Sequence, residues 1–344
     1  MTAVLAVVLA AAGMPDLMSR PAAADDTTQQ ARIALWRSLY RRPVPTAPGS
    51  QGPEALQMAA LGAILFADER LSGAGDRSCA SCHRPVRGFT DGLKLAAGRA
   101  GPLARNTPTL WNIGVARRLN WDGRETDLAE HARRPVESAD EMAGSLVAAT
   151  RLYEADNGIR QRFAAIFAPP DAVSPTNILA ALAAYQRTLI SPPTRFDRWF
   201  DGDDAALDDQ QRRGFTLFVG RARCATCHAG WRFTDDRLHD IGRPASAGRL
   251  LEAKTPTLRE LASTAPYFHD GSAATLADVV SHYSSGVVLR GALSPNIARD
   301  LALDETEIAA LVAFLGTLSG APHAQPDDTT GAHVKGRATD VARP

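Results

Sequence analysis

Two short phrases, CASCH at 79–83 and CATCH at 224–228, have residue types and a spacing that could do chemistry. Each is a C-x-x-C pair followed at once by histidine, and Cys79, Cys82, Cys224 and Cys227 are all the cysteine the chain has. A zinc site, a thioredoxin-like redox pair or coincidence could produce one such phrase. With 8 histidines in 344 residues, a histidine after one pair is about a 2% event and after both roughly one in two thousand, so a shared chemical requirement is the better account. Two thiols about one helical turn apart can add to the two vinyl groups on one edge of a porphyrin, and the next residue carries an imidazole under the iron. The phrases therefore predict two covalently bound c-type haems, with His83 and His228 as their proximal ligands.

The elements that must position these groups occur twice. After CASCH come FTD at 89–91, TPTL at 107–110 and WDG at 121–123; after CATCH come FTD at 233–235, TPTL at 255–258 and HDG at 269–271. The first threonine of TPTL precedes the aspartate of the last phrase by fifteen residues in both copies. Such self-similarity indicates a duplicated haem domain, one haem per copy. Between the phrases, PEALQMAALGAILFAD, NILAALAAYQRTLI and DETEIAALVAFLGTL repeat apolar residues at three and four, and the last opens with an Asp304/Glu307 capping box. RPVPTAPGSQGP and GRAGPLARNTP read as irregular connectors. The expected fold is all-α: two cytochrome c-like domains, over 31–190 and 205–320, with little or no sheet. A linker around Ser191 to Asp204 separates them, and the tail 321–344 has the composition of a partly disordered segment.

The duplication also compares the two pockets. Fourteen residues beyond His269 lies Tyr283, on an apparent helix TLADVVSHY, whereas fourteen beyond Trp121 lies Pro135, which has no ligand atom. The second iron thus has a sixth ligand at hand, and the first is left open to a small oxidant. His282 competes with Tyr283, though its side chain should point about 100° away around the helix. His269 is a further ligand candidate, and His239 could contact a propionate. The last methionine is Met142, so thioether ligation is absent from the second half.

Composition bounds the remaining classes. With 45% hydrophobic and 22% charged residues, the chain can fill two ordinary cores. Thirty-eight basic residues balance thirty-eight acidic ones, leaving no overall field to draw in nucleic acid or anionic lipid. The run TAVLAVVLAAAG is too short to span a bilayer and is followed by small residues at Ala22 to Ala24, so residues 1–24 read as a secretory signal, although no Lys or Arg precedes the run. No other stretch is apolar enough to cross a membrane. Since c-type haem is attached outside the bacterial cytoplasm, the expected location is the periplasm.

CxxCH twice, NTPTLWN, WDGR, ADEM, TPTLRELASTAPYFHDG and the final HY together resemble the bacterial dihaem cytochrome c peroxidase and MauG superfamily, over roughly Pro53 to Gly320. The resemblance implies that the first haem is the one that meets hydrogen peroxide, with Glu141 of ADEM as distal acid/base. It makes Trp121 an electron relay between the haems and puts His131 where the family has glutamine. That histidine either adds a proton carrier or fills space. Arg259 is implied to contact the second haem, and Asn106, Thr264 and Pro266 to hold a calcium ion. The family register puts Tyr283 on the sixth-ligand position, as in the MauG branch. Many cytochrome-oxidising members carry a loop histidine that caps the first iron until the second is reduced; LAAGRAGPLARN has none. The resemblance implies a peroxide-dependent oxidoreductase that draws electrons from a partner protein through an oxidisable Trp or Tyr; Trp199, in FDRWFDG, is either a surface exit for those electrons or a half-buried linker aromatic. The rival readings are a detoxifying peroxidase fed by a small cytochrome or cupredoxin, and a dihaem electron carrier without catalysis.

Overall fold

In the computed structural model, which describes residues 35–36, 38–43, 52–244 and 250–320, the helices in chain order are α1 (Pro53–Phe66), α2 (Cys79–Cys82), α3 (Leu128–Glu137), α4 (Leu146–Ala155), α5 (Asn157–Ala164), α6 (Pro175–Thr188), α7 (Arg195–Phe200), α8 (Asp209–Val219), α9 (Leu276–Ser281) and α10 (Glu305–Gly316). Strands β1 (Leu238–His239) and β2 (Ala253–Lys254) form one short antiparallel pair. The fold is accordingly helical with a minimal sheet, and long loops connect its elements. The segments proposed as signal and tail lie outside the described residues. So does most of RPVPTAPGSQGP. No helix among the described residues is long and apolar enough to cross a membrane.

The described residues from Tyr40 onward form one compact unit; the few described residues before it are helical, with the Ser38 hydroxyl donating to the Leu35 carbonyl at 2.7 Å. In the first half of that unit α1 and α6 each place proline in the first turn, where its missing N–H costs nothing. They bury Leu61, Leu65 and Phe66 against Ile178, Ala181 and Leu182. In the second half α8 packs on α10 in the same way. Both crossings need a glycine. A Cβ on Gly62 would lie 1.9 Å from the Ala181 carbonyl oxygen, and one on Gly214 would lie 2.0 Å from that of Ala310.

The duplication is written into the backbone as well. Phe89 and Phe233 have φ of 60° and 56°, Asn112 and Glu260 60° and 63°, and Asn120 and Phe268 61° and 68°. Left-handed conformations in bulky residues are strained. Their recurrence at matching positions of both copies marks a loop path that the packing imposes twice. The second core is aromatic: Tyr40, Phe196, Phe200, Phe215, Phe218, Phe233 and Phe314 bury their rings together.

The segment read as a linker, Ser191 to Asp204, is not a loose connector. It holds α7, whose capping box joins Thr194 and Asp197, and which sends Phe196 and Phe200 into the second core. Two apolar residues four apart after a threonine cap make a helix that pays its ordering entropy by burial.

Candidate functional site

The first cavity gathers Cys79, Cys82, His83, Trp121, Arg124, His131, Pro135, Glu141 and Gln186. Its cysteines come from α2, one turn of helix whose Ser78 cap and Ser81 form a capping box. His83 Nδ1 donates to the Phe89 carbonyl at 2.9 Å, which leaves Nε2 as the metal-binding nitrogen. Burial pushes the His83 imidazole below its ordinary pKa, so it stays neutral as a ligand must. The left-handed turn at Phe89 aims that carbonyl.

Opposite stand residues of α3 and the turn after it. Asp127 caps α3, accepting from Ala129 and Glu130, and His131 and Pro135 follow one turn apart on the same face. Pro135 brings no ligand atom and no backbone donor. His131 Nδ1 lies 3.3 Å from Gln186 Oε1, and burial lowers the His131 pKa to about 4. Burial raises the Glu141 carboxyl above its usual value, against the pull of a Ser138 hydrogen bond and of Arg124. The connector 96–105 runs along this cavity. Arg77 holds it by the carbonyls of Ala97 (3.1 Å) and Gly98 (3.2 Å), and the Arg99 N–H bonds the Asp140 carbonyl at 2.8 Å.

The second cavity gathers Cys224, Cys227, His228, His239, Lys254, His269, Tyr283 and Asn296. His228 Nδ1 donates to the Phe233 carbonyl at 2.8 Å, repeating the His83 arrangement, and burial lowers its pKa to about 4. Across from it, α9 runs into a π-helical turn at His282–Gly286. His282 Nε2 donates to the Ile241 carbonyl at 2.9 Å and the ring is buried there, while Tyr283 lines the cavity. Burial pushes the Tyr283 phenol far above its ordinary pKa, with Arg243 pulling the other way. His239 uses both nitrogens, on Asp235 (2.8 Å) and Ser294 (3.1 Å).

Trp121 lines both cavities. Its Nε1–H donates to the Asn106 carbonyl at 2.8 Å, and its ring centre lies 6.4 Å from that of His269. Asn106, Thr264 and Pro266 line one cavity together; Asn106 Nδ2 donates to the Leu93 carbonyl at 2.7 Å, which turns its oxygen the other way.

The donor sets fit haem in both cavities: four free cysteines, two neutral imidazoles each held by a carbonyl, and surrounding apolar side chains. Residues 56–205 match the family model for di-haem cytochrome c peroxidase, and residues 211–319 match that for cytochrome c. The methylamine utilization protein MauG of Methylorubrum extorquens is 39% identical over 313 residues, covering 87% of this chain and 88% of its own. The chain belongs to the dihaem cytochrome c peroxidase and MauG family. The cytochrome c551 peroxidase of Nitrosomonas europaea is 35% identical over 294 residues, covering 80% of this chain and 83% of its own. A crystal structure of a MauG-like protein associated with microbial copper homeostasis superposes with a TM-score of 0.74 at 30% identity, over 83% of this chain and 95% of that one. As a member of this family the protein is a peroxidase-type oxidoreductase with two c-type haems.

The expected contact of Arg259 with the second haem has no counterpart in the cavity lining. Arg259 does not line the second cavity: its guanidinium is fully buried, paired with Asp197 at 2.7 and 2.8 Å and bonded to the Trp231 carbonyl at 2.7 Å. A buried cation needs a carboxylate, and α7 supplies one. Trp199 packs on Phe196, Phe200 and Phe215, at the edge of the aromatic core. Three residues of the cavities had no motif to announce them. Lys254 occupies the position of Asn106 in the second copy, so the repeat alone could have found it. Asn296 donates to Cys227 Sγ at 3.8 Å. Gln186 is a buried polar residue on the apolar face of α6, a pattern visible in NILAALAAYQRTLI.

Proposed function

We propose that the protein is a periplasmic, MauG-type enzyme in which hydrogen peroxide reacts in the first cavity and the oxidising equivalents leave through the second to a partner protein carrying an oxidisable tryptophan or tyrosine. The observation that carries this reading is the asymmetry of the cavities: Tyr283 faces the second, and Pro135 stands at the matching place in the first. A phenolate is a hard anionic ligand that favours the oxidised metal, which suits storage of an oxidising equivalent better than uptake of electrons from a cytochrome. The c-type haems, when bound, supply the redox chemistry that cleaves the O–O bond.

The residues of the chain supply the rest. The Glu141 carboxylate takes a proton from one peroxide oxygen and returns it to the other, so that the leaving oxygen departs as water. Trp121, which lines both cavities, is the bridge between them. The tethered connector 96–105 has no histidine to cover the first cavity, so no prior reduction is needed. Asn106, Thr264 and Pro266 offer the oxygen ligands that suit a calcium ion near Trp121.

The test is to mix the fully oxidised holoprotein with hydrogen peroxide in the absence of any reductant and follow the absorption of both haems. Immediate change at both, discharged on adding a tryptophan-bearing partner, is the expected result. Reaction only after reduction by a small cytochrome would favour the detoxifying peroxidase, and no spectral response at all would favour an electron carrier.

A further inference from the structure

Hydrogen peroxide carries two O–H donors, and Glu141 accounts for only one. His131 lines the same cavity, and the role of an imidazole depends on which nitrogen holds the proton. The surroundings decide this. Gln186 Nε2 donates to the Leu182 carbonyl one turn back on α6, at 3.4 Å, so its Oε1 is the atom turned toward His131 Nδ1, 3.3 Å away. An amide oxygen only accepts, so Nδ1 carries the hydrogen. In the neutral ring Nε2 then bears a lone pair.

We propose that Gln186 locks His131 in the Nδ1–H form, so that His131 Nε2 accepts the second O–H of hydrogen peroxide while Glu141 accepts the first. Two acceptors then meet two donors, which orients the substrate before any proton moves. Gln186 is a positioning residue, buried behind the ring it holds, and acts through that ring. The inference rests on the reading of the first cavity as the peroxide site.

The reduced protein with carbon monoxide bound provides a test that does not depend on turnover. A lone pair beside the bound molecule raises the C–O stretching frequency, whereas an N–H donor lowers it, because the local potential changes sign. His131→Leu should therefore lower the frequency. Gln186→Leu, which frees the ring to present Nε2–H, should lower it further. The rate constant for reaction with peroxide should fall about tenfold in His131→Leu and Gln186→Leu, the scale of one substrate hydrogen bond. A rise in frequency in His131→Leu would overturn the tautomer, and no change in Gln186→Leu would overturn the lock. Failure of carbon monoxide to bind at all would instead overturn the open first site, and the proposal with it.

Discussion

Replacing Glu141 by glutamine keeps the volume and polarity of the side chain but removes the proton acceptor. Glu141 is partly buried beside Ser138 and Pro135, and its neighbour Asp140, the other carboxylate at this cavity, is exposed to solvent. No second buried carboxylate is therefore placed to take over, and His131, its pKa lowered to about 4, is a weak base, so most of the contribution of a positioned acid/base should be lost. That contribution is about 10²- to 10⁴-fold, or about 2.7–5.4 kcal/mol of barrier. The assay is stopped-flow reaction of the oxidised holoprotein with peroxide across pH. Burial raises the Glu141 pKa from 4.5, and the reaction needs the carboxylate. The native rate should therefore fall as pH drops through a midpoint above 4.5, and the Glu141→Gln rate should be flat there. A variant within about threefold of native, or one that keeps the acid limb, would refute the assignment.

Tyr283→Met should raise the reduction potential of the second haem, since a neutral thioether replaces an anion that stabilises the oxidised metal; an unchanged potential in a spectroelectrochemical titration would remove Tyr283 from the iron. Asp197→Asn leaves Arg259 buried without its carboxylate and should cost about 3–5 kcal/mol, read from denaturant unfolding of the holoprotein. Burial alone would raise the Asp197 pKa, but the Arg259 pair and Thr194 more than offset it and hold it below 3.8. The pair's contribution is thus fully present above that value and lost as pH falls through the lower folded one; the variant's acid unfolding should lack this component. Asn106→Ala should lower the calcium content of the purified protein, measured by elemental analysis, and full retention would exclude Asn106 as a ligand.

What could be read from the chain and what could not separate along a physical line. Covalent attachment needs Cys79, Cys82 and His83 to be neighbours in sequence, and likewise Cys224, Cys227 and His228, because two sulfurs and one nitrogen must reach a single porphyrin. Local order therefore carried the proximal half of both sites, and the repeated phrases carried the duplication. α10 was equally legible, since its capping box and apolar period lie within one segment. The distal halves are noncovalent and depend on which way a helix is turned. His282 and Tyr283 are adjacent, and only the packing of α9 and its π-helical turn sends one to the Ile241 carbonyl and the other to the cavity. The pairing of His131 with Gln186 spans fifty-five residues, and that of Asp197 with Arg259 spans sixty-two. A buried polar group takes whichever partner the fold brings within reach, so these pairings, the packed α7 and the burial of Arg259 were decided by the tertiary structure alone.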